Sequence, residues 1–382
     1  MKKIKGPVKD LLSSFHVTSS YKKAIANASD DPSFADPINA LAKKLHPGFI
    51  PLRLDKRVCV APGCYYLTFS GVDTPIPLFK PGQFLTLTKR IGSSVLTRAY
   101  TIASDYKKRE TVSVLIKKMG GPFTDYLESC PIGETFSAEV GLGQFYYEPL
   151  RDSKNLVILV GGSGVTPAIA MAYAAKDYHL TILFGVDFEE QIVLRDELEA
   201  LVGENVSLVY FVRDGGKTVP CEKGLITAEG IRKYMGQDPT FFVCGPKPMI
   251  DSMVGELMKL DIPQRRLHIE GPSLQGFQGH MEESEKAVFH LSLHIGKSVT
   301  VIEARNDESL LTSFERAGIL VHNRCRSGAC GCCRVKVLSG DYRYLPSRDG
   351  RREGDKEMNY VHACCTFPCS DMELLLDIPR VL

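Results

Sequence analysis

Cys325-Arg-Ser-Gly-Ala-Cys330-Gly-Cys-Cys333, with Cys364 about thirty residues further on, decides how the C-terminal part of this chain folds. C-x4-C-x2-C with a distant fourth cysteine is the spacing of plant-type [2Fe–2S] sites. Two bridged irons need four thiolates, and three come from one loop that bends tightly and turns its N–H groups toward the sulfides. Gly328 and Gly331 allow that close backbone approach. Cys325, Cys330 and Cys333 take the loop positions, and a following strand supplies the fourth ligand from among Cys364, Cys365 and Cys369. Cys332 falls between ligand positions. Zinc loops use paired C-x2-C knuckles, of which there is one here. A Rieske centre needs two histidine ligands, whereas His322 and His362 flank the cysteines without replacing them.

Seven of the twelve cysteines lie between Cys325 and Cys369. A secreted disulfide framework would spread them along a short chain. The N-terminal MKKIKGPVKDLLSSF is basic but lacks the apolar core and cleavage site of a signal peptide, so a cytoplasmic, reducing setting is expected. A formal net charge of +2 gives no reason to expect nucleic acid or an anionic membrane as partner.

Around the cysteine loop, residues 287–382 read as an α+β ferredoxin-like (β-grasp) domain. It has strands at Ala287–His294 and Lys297–Glu303 and a helix at Ser309–Ala317. Residues 273–286, rich in Gly, Gln and Glu, read as a linker. Upstream, residues 154–272 alternate strand and helix. Strands at Leu156–Val160, Leu180–Phe184, Ser207–Phe211 and Thr240–Val243 are interleaved with helices at Pro167–Lys176, Asp196–Val202, Ala228–Tyr234 and Pro248–Leu260. That rhythm predicts a doubly wound parallel sheet. The uncharged run Leu156–Ala175 approaches membrane-span length. Gly161, Gly162, Gly164 and Pro167 break it into a buried strand, a turn and a buried helix, so no membrane span is expected.

Gly161-Gly162-Ser163-Gly164-Val-Thr166-Pro167 follows a strand and opens a helix, which suits a nucleotide pyrophosphate: close backbone approach plus a helix N-terminus. Cys244-Gly245-Pro246 ends another strand, where open α/β sheets bind ligands, so Cys244 is a candidate neighbour of a nicotinamide. Asp187, just past the second strand of this domain, can bind a ribose 2′-hydroxyl and would repel a 2′-phosphate, which favours NADH over NADPH.

Residues 49–153 are short alternating strands with turn clusters such as Lys80-Pro81-Gly82 and one helical insert, Phe123–Glu128, the pattern of a small antiparallel β-barrel. Arg98-Ala-Tyr100-Thr101 sits on one strand. A flavin needs a face contact, a hydrogen bond near N5 and a counter-charge for phosphate, which Tyr100, Thr101 and Arg98 can supply in that order. Gly120-Gly121-Pro-Phe-Thr124 opens the insert helix and offers N–H groups and a hydroxyl to a pyrophosphate. Residues 1–48 form an extension with short helical patterns at Val8–Phe15 and Pro37–Leu45.

With these motifs in this order, from about Pro51 to Pro379, the chain resembles the ferredoxin–NAD(P)H reductase superfamily carrying a C-terminal plant-type ferredoxin. The resemblance implies FAD, with FMN as the less favoured alternative, a [2Fe–2S] cluster, and NADH or NADPH as substrate. Hydride would pass to flavin and single electrons through the cluster to an acceptor protein: an oxygenase, a hybrid-cluster protein or another redox enzyme. Ala363-Cys364 followed by Asp371 resembles the ferredoxin ending, which makes Cys364 the fourth ligand. Plant-type clusters sit near about −400 mV, which suits a donor to an external protein. The rival readings are a diaphorase, a reductase running backwards to make NADH, and a non-catalytic cluster sensor. Asp187 stands where NADPH-preferring members often carry Arg, and Glu270-Gly271-Pro272 stands where many members have an aromatic residue.

Overall fold

The computed structural model describes Phe15, residues 17–23, 26 and 27, and residues 48–118, 120–271, 286–346 and 349–376. Met1–Gly48 and Phe49–Leu382 are separate compact units. In the first, residues 17–23 are helical. The expected helix at Pro37–Leu45, most of the one at Val8–Phe15 and nearly all of the 273–286 linker lie outside the described residues.

The second unit begins with six antiparallel strands: β1 (Ile50–Ala61), β2 (Cys64–Gly71), β3 (Phe84–Ile91), β4 (Ser94–Thr101), β5 (Thr111–Lys117) and β6 (Thr135–Leu142). Their order is β4-β3-β6-β1-β2-β5, and an antiparallel bridge between Ile102 and Val114 joins the two edges. The sheet thus closes on itself, with Leu52, Leu54, Leu67, Phe69, Val112 and Phe136 inside. Along β1, Ile50, Leu52 and Leu54 are buried while Pro51 and Arg53 are exposed, the alternation of a half-buried strand. A bulge between Leu54 and Lys56 shifts the register against β2 and ends that alternation. Helix α1 (Pro122–Ser129) is inserted before β6 and turns Phe123 and Leu127 into the barrel core.

The next sheet is wholly parallel. It comprises β7 (Asn155–Gly161), β8 (His179–Val186), β9 (Val206–Val212), β10 (Cys221–Lys223), β11 (Thr240–Cys244) and β12 (Leu267–Glu270), in the order β10-β9-β8-β7-β11-β12. Leu156 to Val160 are completely buried, because helices cover both faces of β7. A single 3-10 turn at Gly162–Val165 leads into α2 (Thr166–Tyr173), which is buried from Thr166 to Ala172. This accounts for the membrane-like run: among the described residues no helix is long and apolar enough to cross a bilayer. Helices α3 (Arg195–Ala200), α4 (Ala228–Tyr234) and α5 (Lys247–Met258) complete the layers. The chain winds from β7 out to β10 and returns to β11, so the order reverses between β7 and β11. Strands β10 and β12 were not expected; both are short, and their pattern is too brief to register as a strand in sequence.

The last sheet is mixed. Strands β13 (Val288–Ile295) and β14 (Ser298–Arg305) form a hairpin, after which come helix α6 (Leu310–Arg316), β15 (Arg334–Ser339), β16 (Tyr342–Tyr344), helix α7 (Glu353–Glu357), β17 (Tyr360–His362), β18 (Thr366–Pro368) and β19 (Met372–Leu375). Their order is β14-β13-β19-β15-β17, with β13 and β19 parallel, and β16 pairs with β18 separately. Leu310, Leu311 and Phe314 of α6 fill the core over this sheet, the arrangement of a β-grasp domain.

Candidate functional site

The loop at residues 322–333 gathers Cys325, Cys330 and Cys332 and sets Cys333 against Cys364, which follows β17. Sγ of Cys325 accepts from the N–H groups of Ser327 and Cys330, at 3.5 and 3.4 Å. Contacts between thiols run from Cys325 to Cys330 and on to Cys332, and from Cys333 to Cys364 and on to Cys365. Cys364 is thereby held well below the ordinary thiol value, chiefly by the bond from Cys333. Cys365 bonds back to the His362 carbonyl at 3.4 Å, and Cys369 is exposed. Among the described residues no three His, Cys, Asp or Glu side chains converge as a cage for one ion. Cys325, Cys330 and Cys333 at the C-x4-C-x2-C spacing, with Cys364 against Cys333, are a donor set that fits a [2Fe–2S] cluster. Cys330 is exposed and puts one edge of the loop in reach of solvent.

The loop is seated on the barrel by buried charges. Arg98 of β4 donates through Nη1 to both carboxylate oxygens of Glu315 at 3.0 Å, and Arg326 reaches the same carboxylate at 2.6 and 3.1 Å. On the other side of Cys325, Arg324 donates to Glu139 of β6 at 2.6 and 3.1 Å, and His322 lies 3.0 Å from it. Burial alone would raise the Glu139 pKa, but the hydrogen bonds from His322 and Arg324 outweigh it and leave it lowered. The sequence reading missed Glu139, Glu315, Arg324 and Arg326. Their partners lie far along the chain, and no local spacing announces them.

The barrel strand presents the expected flavin residues side by side. In the β3–β4 ladder Arg98 faces Leu87, Tyr100 faces Leu85 and Thr101 faces Phe84. The Tyr100 ring lies nearly parallel to Phe123 of α1, 6.4 Å away at 21°. Its hydroxyl is buried without a hydrogen-bond partner, and burial pushes its pKa up. An orphaned buried hydroxyl is costly unless a ligand completes it. Gly120 and Gly121 lead into α1, and a Cβ on either would meet nothing within 4 Å, so the side-chain side of this turn is open. Thr124 returns its hydroxyl to the Gly121 carbonyl at 2.9 Å. These features fit a bound flavin.

In the parallel sheet the loops after β7 and β11 meet at the point where strand order reverses. A Cβ on Gly164 would sit 2.6 Å from the Cys244 carbonyl oxygen and 2.7 Å from the Gly245 Cα, so only glycine permits this approach. Gly162 lies before open space, and Thr166 ties its hydroxyl to the Ser163 carbonyl at 3.2 Å. Pro246 stands directly before α5. Asp187 forms an exposed ion pair with Arg213 at 2.8 Å, across the ends of β8 and β9. The crevice fits a dinucleotide at a topological switch point.

A further residue emerges where this crevice meets the barrel. Cys244 is paired in register with Glu270 at the end of β12. Burial pushes the Cys244 thiol well up, and Glu270 adds to the shift. Glu270 itself is raised to about 8 by burial, and its Oε2 has no partner. A Cβ on barrel residue Gly143 would lie 4.0 Å from Glu270 Oε1 and 2.8 Å from the Phe84 ring, so Glu270 neighbours the strand end that carries Thr101. The sequence drew attention to Glu270 only as the start of an unusual segment. Its role is hidden there because β12 is a four-residue edge strand.

Comparison with known proteins matches this architecture domain by domain. An oxidoreductase FAD-binding domain matches residues 52–147, an oxidoreductase NAD-binding domain residues 158–254, and a 2Fe-2S iron-sulfur cluster binding domain residues 293–369. The stachydrine N-demethylase reductase subunit of Rhizobium meliloti is 25% identical over 83% of this chain and 94% of its own length. Ferredoxin–NADP reductase B of Sorangium cellulosum is 32% identical over 53% of this chain and 89% of its own. The solved structure of phthalate dioxygenase reductase superposes with a TM-score of 0.63 at 21% identity, covering 87% of this chain and 98% of that one. The chain therefore belongs to the ferredoxin–NAD(P)H reductase superfamily, as an NAD(P)H-dependent flavin and iron–sulfur oxidoreductase with FAD- and NAD-binding domains followed by a C-terminal [2Fe–2S] domain.

Proposed function

We propose that this protein is the reductase component of an oxygenase system, taking hydride from NADH and delivering single electrons to the oxygenase. The observation that carries the reading is the docking of the cysteine loop on the same barrel strand that holds Arg98, Tyr100 and Thr101. The oxygenase as acceptor is supported by the relatives, among them an N-demethylase reductase subunit and a dioxygenase reductase.

The flavin supplies the exchange between two-electron hydride chemistry and one-electron transfer. Arg98 gives a counter-charge to its phosphate, and Gly120, Gly121 and Thr124 add N–H and hydroxyl groups at the start of α1. Tyr100 offers its ring to the flavin and its unpartnered hydroxyl to a flavin polar atom, while Thr101 places a hydroxyl at the strand end. Gly162, Ser163, Gly164 and Thr166 receive the nucleotide pyrophosphate, and Cys244, Gly245 and Pro246 form the wall beside the nicotinamide. Below about pH 8 Glu270 holds a proton on its carboxyl beside Cys244, so no negative charge faces a neutral dihydronicotinamide. Asp187 orients the adenosine ribose and disfavours a 2′-phosphate. Cys325, Cys330, Cys333 and Cys364 would hold the cluster, which would supply one-electron transfer, and Cys330 is the exposed member of the set.

Anaerobic rapid mixing with NADH tests this. Flavin absorbance bleaches first and the reduced-cluster electron paramagnetic resonance (EPR) signal follows, with NADPH slower. A protein that retains flavin and iron yet is not bleached by either nucleotide would end the proposal.

A further inference from the structure

Glu315 lies on α6 of the iron–sulfur domain, yet it serves the barrel as much as its own domain. Its side chain is 4% exposed and receives Nη1 of Arg98, both terminal nitrogens of Arg326 and the N–H of Thr97, the last at 3.1 Å. Two guanidinium groups on one carboxylate leave a buried excess of one positive charge. An anion completes such a group, and a flavin phosphate is the anion that the neighbouring Tyr100 and α1 start would bring. Arg98 meets both Glu315 and the Thr97 carbonyl through Nη1, so Glu315 fixes the orientation of the guanidinium fork. Arg326 lies inside the cysteine loop, adopts a left-handed backbone (φ +52°) and also donates to the Thr97 carbonyl at 3.3 Å. A residue that accepts this backbone strain needs surroundings that hold it there.

We propose that Glu315 is a positioning residue that couples occupancy of the flavin site to the seating of the cluster loop, through Arg98 on one side and Arg326 on the other. The proposal rests on the reading that Arg98 faces the flavin phosphate. Coupling of this kind is reciprocal: flavin steadies the loop, and a seated loop steadies Arg98.

The test compares full-length parent and Glu315→Gln protein, each holding flavin and cluster, by two measurements. In amide hydrogen exchange, removing flavin from the parent speeds exchange across residues 322–333. In Glu315→Gln that exchange is already fast and does not respond to flavin. In anaerobic rapid mixing, flavin bleaching by NADH stays within about twofold of the parent while cluster reduction slows by about 10- to 100-fold, the scale of an ångström-level misplacement. Iron content is unchanged. Loop exchange in the variant that still responds to flavin, or an unchanged second step, overturns the proposal. So does loss of iron with normal bleaching, since Glu315 would then serve only its own domain. Should Glu315→Gln not fold, Glu315→Asp is measured, and a second step slowed without the first supports the proposal while any other pattern overturns it. A parent protein that NADH does not bleach would instead sink the functional reading.

Discussion

Where β7 and β11 end, the chain presents mainly backbone: Gly162 before open space, Gly164 pressed on Cys244 and Gly245, and the short turn into α2. At the contact between barrel and cluster loop it uses buried ionised side chains instead, with Arg98 and Arg326 on Glu315 and Arg324 on Glu139. The first kind of site depends on the absence of side chains over a few consecutive residues. The second depends on charges from distant segments arriving together, and each would be costly alone. A backbone site therefore fails by steric intrusion and a charge-paired site by losing a partner, so the two regions can be perturbed independently.

The largest effect is expected at the cluster. Cys333→Ser removes a ligand from the buried pair, so iron content and the EPR signal are lost while NADH still bleaches the flavin. Retention of a normal signal would reassign the ligand set. Next comes the crevice. Gly164→Val places side-chain atoms into the Cys244 carbonyl, and flavin reduction at fixed NADH is expected to fall by about 100-fold. Cluster absorbance stays unchanged, and a loss of cluster here would show that the two regions are not independent.

The third prediction concerns pH. Glu270 is raised from 4.5 to about 8, so it gains a carboxylate charge as pH passes through 8. A negative charge there favours cationic NAD+ over neutral NADH, so NAD+ binding tightens across that range. Glu270→Gln removes the pH dependence, as titration calorimetry would show. The same shift bears on stability with a definite sign. The folded protein binds the extra proton between 4.5 and about 8, so this group's contribution is full below 4.5 and lost as pH rises through 8. A smaller effect is expected at Asp187. Its removal as Asp187→Ala leaves Arg213 unpaired and lowers the NADH-to-NADPH preference by about tenfold, or about 1.4 kcal/mol. Steady-state kcat/KM for the two nucleotides measures it. The smallest belongs to neither region: Lys247→Ala breaks an exposed pair with Asp251 and leaves Tm and both electron-transfer steps unchanged.

The candidate site loops were legible because each is a short run whose residue types state a local requirement. Gly161–Pro167 demands close backbone approach, the cysteine spacing demands a wrapped loop, and alternation against unbroken apolar runs separates the barrel strands from β7 and β8. Less was legible where an element is brief or shifted. The bulge in β1 breaks the alternation of its second half, and the short strand β12 hid Glu270.

By itself, then, the sequence determined three successive domain types and the residues that lie next to one another on each candidate site loop, because backbone geometry and ligand spacing are properties of consecutive residues. Only the tertiary structure decided that Glu270 stands beside Cys244 and that Glu315 joins Arg98 to Arg326. Those facts depend on segments far apart in the chain meeting in a dry interior, where burial sets each charge and each pairing, and no local pattern encodes that meeting.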